Sequence, residues 1–253
     1  MVAKRMLFLV LWLIGMSGVL SALWINLPAS EEAVPFSPVA IKLLSLISPT
    51  FLLSIAVLIG VNLAPKVGLS APFAEAIAQG TAQKFLLLKP QIMPGLIGGA
   101  IGGVVISAWS FLWWSSLPLD FLAKGEALSE TTPLLTRILY GGITEEIMVR
   151  WGFMTLLVWG LWRMLQKGCE APQPAYVILA IVVSALIFGL GHLPLAFALT
   201  AQATMPLILY VVIGNSFFGF IAGYLYWQKG LESAIVAHML THIVMIISDG
   251  LKR

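Results

Sequence analysis

"LLTRILYGGITEEIMVRWGFMTLLVWGLWRML", residues 134–165, carries two opposed messages. Its apolar residues suffice for a helix across a hydrocarbon core of roughly 30 Å, which takes about 20 residues. Yet Glu145, Glu146 and Arg150 stand in the middle, where an ionisable group costs on the order of 2.5–3.5 kcal/mol on insertion scales. The conflict disappears if the helix is enclosed by other helices and its charges meet partners there. The stretch therefore predicts a bundle around a polar interior.

The rest of the chain supplies that bundle. Of 253 residues, 60% are hydrophobic and only 10% charged, with a mean hydropathy of +0.99; soluble domains hold about 45–50% apolar and about 25% charged residues. Spans are expected near 6–27, 40–64, 92–115, 134–165, 176–200, 206–227 and 232–248. The predicted fold is all-α, a polytopic transmembrane bundle of about seven to eight spans with a polar intramembrane cavity, forming one membrane domain over 1–253. The first span, preceded by Lys4 and Arg5, is too long for a signal-peptide core and reads as retained.

Counting positive residues sets an orientation. Lys66, Lys84 and Lys89 against Glu75 put the 65–91 loop inside with the N-terminus; Arg163, Lys167 and Lys229 agree, and Glu31 and Glu32 mark an outer loop. Lys252 and Arg253 run against this pattern. Residues 71–88 have helical spacing of apolar positions and read either as an interfacial amphipathic helix or as an ordinary loop helix. "GLIGGAIGGVV" (95–105) and "GFIAG" (219–223) place small residues where helices can approach closely.

Several classes are excluded. A formal charge of +3 without a basic stripe interleaved with aromatics gives no nucleic-acid partner. Cys169 is the single cysteine, which excludes an internal disulfide and a cysteine metal cluster. The expected partners are the lipid bilayer and a peptide or membrane-protein substrate.

The only histidines are His192 in the fifth span and His238 and His242 in the seventh. Glu146 and Arg150 are four apart, with the acid on the N-terminal side, the favourable order for an ion pair. Glu145 is turned by about 100° and has no local partner. His238 and His242 share a helix face, and "FGLGHLP" (188–194) sets His192 in backbone loosened by Gly189, Gly191 and Pro194. Asn215, in the sixth span, reads as a helix-to-helix hydrogen bond.

A carboxylate and histidines in an enclosed wet site suit hydrolysis of a peptide or similar acyl bond. Glu145 and His192 would deprotonate water, and His238 and His242 would donate to the oxyanion. An alternative places zinc on the histidines with Glu145 as base or ligand, although no H-E-x-x-H is present. Other readings of the same groups are a proton-coupled transporter, a haem carrier and an inactive scaffold.

"EEIMVR" (145–150), "FGLGH" (188–192) and "HMLTH" (238–242) follow the patterns E-E-x3-R, F-x3-H and the opening of H-x3-N, in order and in separate spans. In this the chain resembles the CAAX prenyl endopeptidase type II family, also called CPBP or ABI intramembrane proteases, from about Leu135 to Ile247. The resemblance implies 133–250 as the catalytic helices and 1–132 as N-terminal spans and amphipathic loop. It implies Glu145 as catalytic base, His192 as its partner, Glu146 and Arg150 as a supporting pair, and His238 as oxyanion or ligand residue. His242 departs from the pattern, standing where the family has asparagine; as histidine binds metal better than an amide, metal dependence and zinc stay open. The location implied is a multi-pass integral membrane protein, in the plasma (inner) membrane if bacterial. Eukaryotic relatives remove three residues after a prenylated cysteine.

Overall fold

A computed structural model describes residues 2–25, 37–82 and 84–250. Glu31, Glu32, Lys252 and Arg253, which entered the orientation reading, lie outside the described residues. Among the described residues the regular structure is entirely helical. Six helices are long and apolar enough to cross a membrane: Ala3–Trp24, Val39–Lys66, Phe85–Ser116, Pro174–Ala198, Met205–Lys229 and Leu231–Gly250. The chain is thus a polytopic helical membrane protein.

In chain order the helices are α1 (Val2–Ser21), α2 (Pro38–Ser45), α3 (Ile47–Leu63), α4 (Pro72–Ala78), α5 (Lys84–Trp113) and α6 (Leu119–Thr131). Residues 134–165 follow as one continuous helical run, composed of α7 (Leu134–Thr136), the π-helical segments π1 (Arg137–Glu145) and π2 (Ile147–Met154), and α8 (Thr155–Leu165). Then come α9 (Pro174–Gly191), α10 (Leu193–Ala198), α11 (Met205–Lys229) and α12 (Leu231–Gly250). Pro38, Pro72, Pro174, Pro194 and Pro206 sit in first turns, where the missing N–H leaves no intrahelical bond unmade. Ser37 and Thr204 side chains cap α2 and α11.

Three hydrogen bonds show how the helices alternate. Lys4 Nζ donates to Asn62 Oδ1 (3.4 Å) and the Leu231 amide to the Ser70 carbonyl (3.1 Å), which gathers the start of α1, the end of α3 and the start of α12 at one end. At the other end the Thr136 hydroxyl donates to the Ser21 carbonyl (3.2 Å). The run 134–165 is enclosed as its charges demand: α1 packs along π1, where the Thr144 hydroxyl donates to the Gly15 carbonyl (2.6 Å), and α3 packs along π2. Trp151, Met154 and Val158 are wholly buried there.

The glycine stretch of α5 lets α12 press close. A Cβ on Gly99 would lie 2.5 Å from the Ala237 carbonyl oxygen, and the Thr241 hydroxyl donates to the Gly99 carbonyl (3.1 Å). The small residues of α11 act likewise, with Gly219 against Ala185 of α9.

The structure corrects two expectations. The 71–88 stretch does not form one helix: α4 stops at Ala78, and Gly80 turns at φ +69, a conformation that a side chain resists. The Glu232 carboxylate holds the Phe73 and Ala74 amides at 3.0 and 2.9 Å, and Ala74 and Ala76 are buried. The third span begins eight residues before position 92, since α5 runs from Lys84 through Pro90 and Pro94. The loop beyond it contains a helix, α6.

Asp120, at the start of α6, accepts from the Thr200 hydroxyl (2.8 Å) and the Ala201 amide (2.9 Å), tying α6 to the loop after α10. These bonds, the Ala201 amide foremost, hold its carboxyl below the usual value. A depressed folded-state pKa stabilises above the unfolded value of about 3.9 and is lost as pH falls through the lower folded value. Protection of the Ala201 amide, its exchange relative to the intrinsic rate at the same pH, is therefore expected to fall below about pH 4, and Asp120→Asn to show the lower protection at neutral pH as well. Unchanged exchange in that variant would show the tie to be inconsequential.

Candidate active site

The junction of π1 and π2 fixes both glutamates. Glu146, wholly buried, bears an ion pair and a hydrogen bond: Arg150 Nε lies 3.2 Å from its Oε2, and His238 Nδ1 lies 2.8 Å from its Oε1. The i,i+4 pair expected from α-helical spacing forms although the turns here are wider. Arg150, also wholly buried, donates from Nη2 to the Gly219 carbonyl (3.2 Å) and places its guanidinium 4.7 Å from the centroid of the Phe188 ring. Four elements are thereby tied to one buried acid and its partner.

Glu145 points elsewhere. It is half-buried and lines a cavity of about 340 Å³ together with His192, His238 and His242. Four expected groups thus share one cavity, while Glu146 and Arg150 stand behind it. Leu128, Leu195, Phe218 and Met245 make much of the remaining wall apolar.

Each imidazole is oriented by a definite neighbour. His192 follows α9 and precedes α10, with its amide on the Gly189 carbonyl (3.2 Å) and its Nδ1 2.8 Å from the Phe188 carbonyl oxygen. A carbonyl only accepts, so Nδ1 carries the proton and Nε2 of the neutral ring keeps a lone pair. His238 Nδ1 is likewise anchored, on Glu146, which leaves its Nε2 as the second ring nitrogen. Its ring stacks on His242 at 4.9 Å between centroids and 14° between planes and lies 4.3 Å from the Phe218 centroid. His242 rests against Gly141, and its Nε2 is buried without a hydrogen-bond partner.

Zinc on the histidines is not favoured by this donor set. Among the described residues no three of His, Cys, Asp and Glu converge as a metal-binding group, whereas a catalytic zinc takes three protein ligands. Glu146, the acid nearest His238, is held by Arg150.

The cavity also takes in residues that the sequence reading passed over or read otherwise. Arg137 and Tyr140 of π1 line it, as does Asn215. Asn215 donates to the Val211 carbonyl of its own helix (2.8 Å), and the expected bond to another helix is not the one it makes. No α-helical spacing signalled Arg137 and Tyr140, which at about 100° per residue lie roughly 80° and 140° around the helix from Glu145.

Fold and site together define a polytopic membrane protein with acid and imidazole side chains lining one cavity. Residues 127–244 match the family described as type II CAAX prenyl endopeptidase, Rce1-like. This is the family that the three motifs resemble. No curated protein and no solved structure matches the chain.

Proposed function

We propose that the protein is an intramembrane endopeptidase in which Glu145 and His192 activate a water molecule against a peptide carbonyl. The observation that carries this reading is the meeting of Glu145, His192, His238 and His242 in one cavity. Water placed between the Glu145 carboxylate and His192 Nε2 would have two acceptors to orient it. As Glu145 takes one proton, the oxygen attacks the carbonyl carbon and a tetrahedral oxyanion forms.

His238 supports that charge. His238 lines the cavity with Nδ1 anchored on Glu146, so Nε2 is the ring atom left to meet the oxyanion, as a donor when it carries a proton. His242 supplies a second ring to the same oxyanion in place of the family's asparagine. The proton held by Glu145 then passes to the departing amine nitrogen as the carbon–nitrogen bond breaks, giving carboxylate and amine. Apolar walls suit a membrane-associated peptide, prenylated substrates included, and no step requires a metal. The helices from residue 133 onward carry all four groups, with α1 and α3 as their brace.

The test is cleavage of a prenylated-cysteine peptide by the detergent-purified protein beside His192→Ala. Product from the wild type and a fall of about 100-fold or more in the variant are expected for loss of one proton-handling partner. Equal rates would overturn the pairing of His192 with Glu145.

A further inference from the structure

We infer that the cavity opens on the non-cytoplasmic side of the membrane, so that the polypeptides it takes are those whose cut segment has already crossed. This deepens the protease reading and rests on it. The first observation is where the cavity lies between the two ends of the bundle. Ile25 follows α1, Leu128 and Thr132 belong to or follow α6, and Leu195 belongs to α10; all four line the cavity. They stand at the end where the Thr136 hydroxyl meets the Ser21 carbonyl and where Asp120 holds Thr200 and Ala201. Leu195 is exposed there.

The opposite end is packed shut. Beyond Glu146 and Arg150 the fourth span presents Trp151, Met154 and Val158, all wholly buried, and the hydroxyls of Thr155 and Tyr226, also buried, meet at 2.8 Å. Among the described residues, none that lines the cavity comes from that end. Water and a peptide therefore reach Glu145 and His192 from the α6 end and not through the packed one.

The second observation is charge. The bonds from Lys4 to Asn62 and from Leu231 to Ser70 gather the packed end. Its cations are Lys4 and Arg5 at the start of α1, Lys66 closing the second span, Lys84 and Lys89 in the first turns of α5, Arg163 and Lys167 about the end of α8, and Lys229 closing α11. Among the described residues the cavity end has three, Lys42, Lys124 and Arg137, beside the acids Asp120, Glu126, Glu130 and Asp249. Lys42 belongs there because its Nζ donates to the Leu23 carbonyl (3.1 Å). Lysine and arginine close to span ends mark the cytoplasmic side, and acids count for little. Even with Lys252 and Arg253, next in sequence after α12, set against it, the balance keeps its sign. The packed end is cytoplasmic and the cavity faces away from the cytoplasm.

The substrate class follows. A segment held at the cytoplasmic leaflet meets the packed end, whereas a membrane-associated polypeptide exposed on the other face lies level with Leu128 and Leu195 at the mouth. A prenylated-cysteine peptide still serves as a probe, because it can be supplied from either side.

Two measurements on the full chain test this. Cys169, the single cysteine, is exposed in the turn after α8 and marks the packed end. Gly125→Cys in a Cys169→Ser background marks the cavity end, where an added side chain meets open space. In intact spheroplasts of an expressing bacterial host, a membrane-impermeant maleimide should label Gly125→Cys and spare native Cys169 until the membrane is opened. Labelling of native Cys169 in intact spheroplasts, or of Gly125→Cys only after opening, would overturn the inference; the first of these needs no substitution and stands even if the variant fails to insert. The second measurement adds a prenylated-cysteine peptide carrying a sulfonated dye, which does not cross the bilayer, to sealed vesicles. Right-side-out vesicles should give product, and inside-out vesicles should give none until detergent is added. Product from sealed inside-out vesicles alone would overturn the sidedness with the protease reading intact. No product even in detergent would sink the protease reading alone, with the labelling still deciding where the cavity opens.

Discussion

Glu145→Gln is expected to abolish peptide cleavage while leaving the protein folded and inserted. Glutamine keeps the size and hydrogen-bonding capacity of the side chain and loses only the ability to take a proton from water. General-base catalysis contributes about 10²–10⁴-fold, so the residual rate should fall at least into that range below wild type. The fold should not notice, because the ion pair and anchored imidazole belong to Glu146 and not to its neighbour. Cleavage of a prenylated peptide and thermal unfolding in detergent, measured on the same preparation, check both halves. A variant that retains full activity would remove Glu145 from the mechanism.

Glu146→Gln should do the reverse at first, striking stability before chemistry. It leaves the Arg150 charge, wholly buried, without its counter-ion and takes the carboxylate from His238 Nδ1. Breaking a buried pair by removing one partner costs about 3–5 kcal/mol, a large fraction of the roughly 5–15 kcal/mol that folded proteins possess. Lower yield and an earlier unfolding transition are expected. The double variant Glu146→Gln/Arg150→Met should recover much of the stability, since no charge is then stranded, yet stay slow because His238 has lost its anchor. An unfolding temperature equal to wild type in Glu146→Gln would refute the ion-pair account.

The contrast between adjacent glutamates shows what a sequence discloses and what it withholds. The apolar runs gave the bundle, because lipid demands them. The four-residue spacing of Glu146 and Arg150 gave their pairing, because local geometry decides it. The bond from His238 to Glu146 joins positions 92 residues apart and leaves no local trace. Asn215 met its own helix's carbonyl because an amide four residues on reaches one without any tertiary contact. The start of α5 was missed because Lys84 and Lys89 were counted as charges of a loop; the helix holds them and runs on through Pro90 and Pro94, which a long helix packed among others can accommodate. The wide turns of π1 and π2 carry no marker in composition, and α6 was passed over because little of it is apolar.

Those wide turns bear on how the acids could be aimed. A π turn holds one residue more than an α turn does and is found mostly at functional sites, in single turns rather than over segments such as π1 and π2. Removing a single residue from Ile138 to Ile143 would swing every side chain beyond the deletion by about 100° relative to those before it. Glu145 and Glu146 would then turn away from His192 and His238 with the helix still whole. The aim of the two acids is in this sense a matter of counting: the number of residues that the wide turns hold keeps one acid facing the cavity and the other facing its guanidinium.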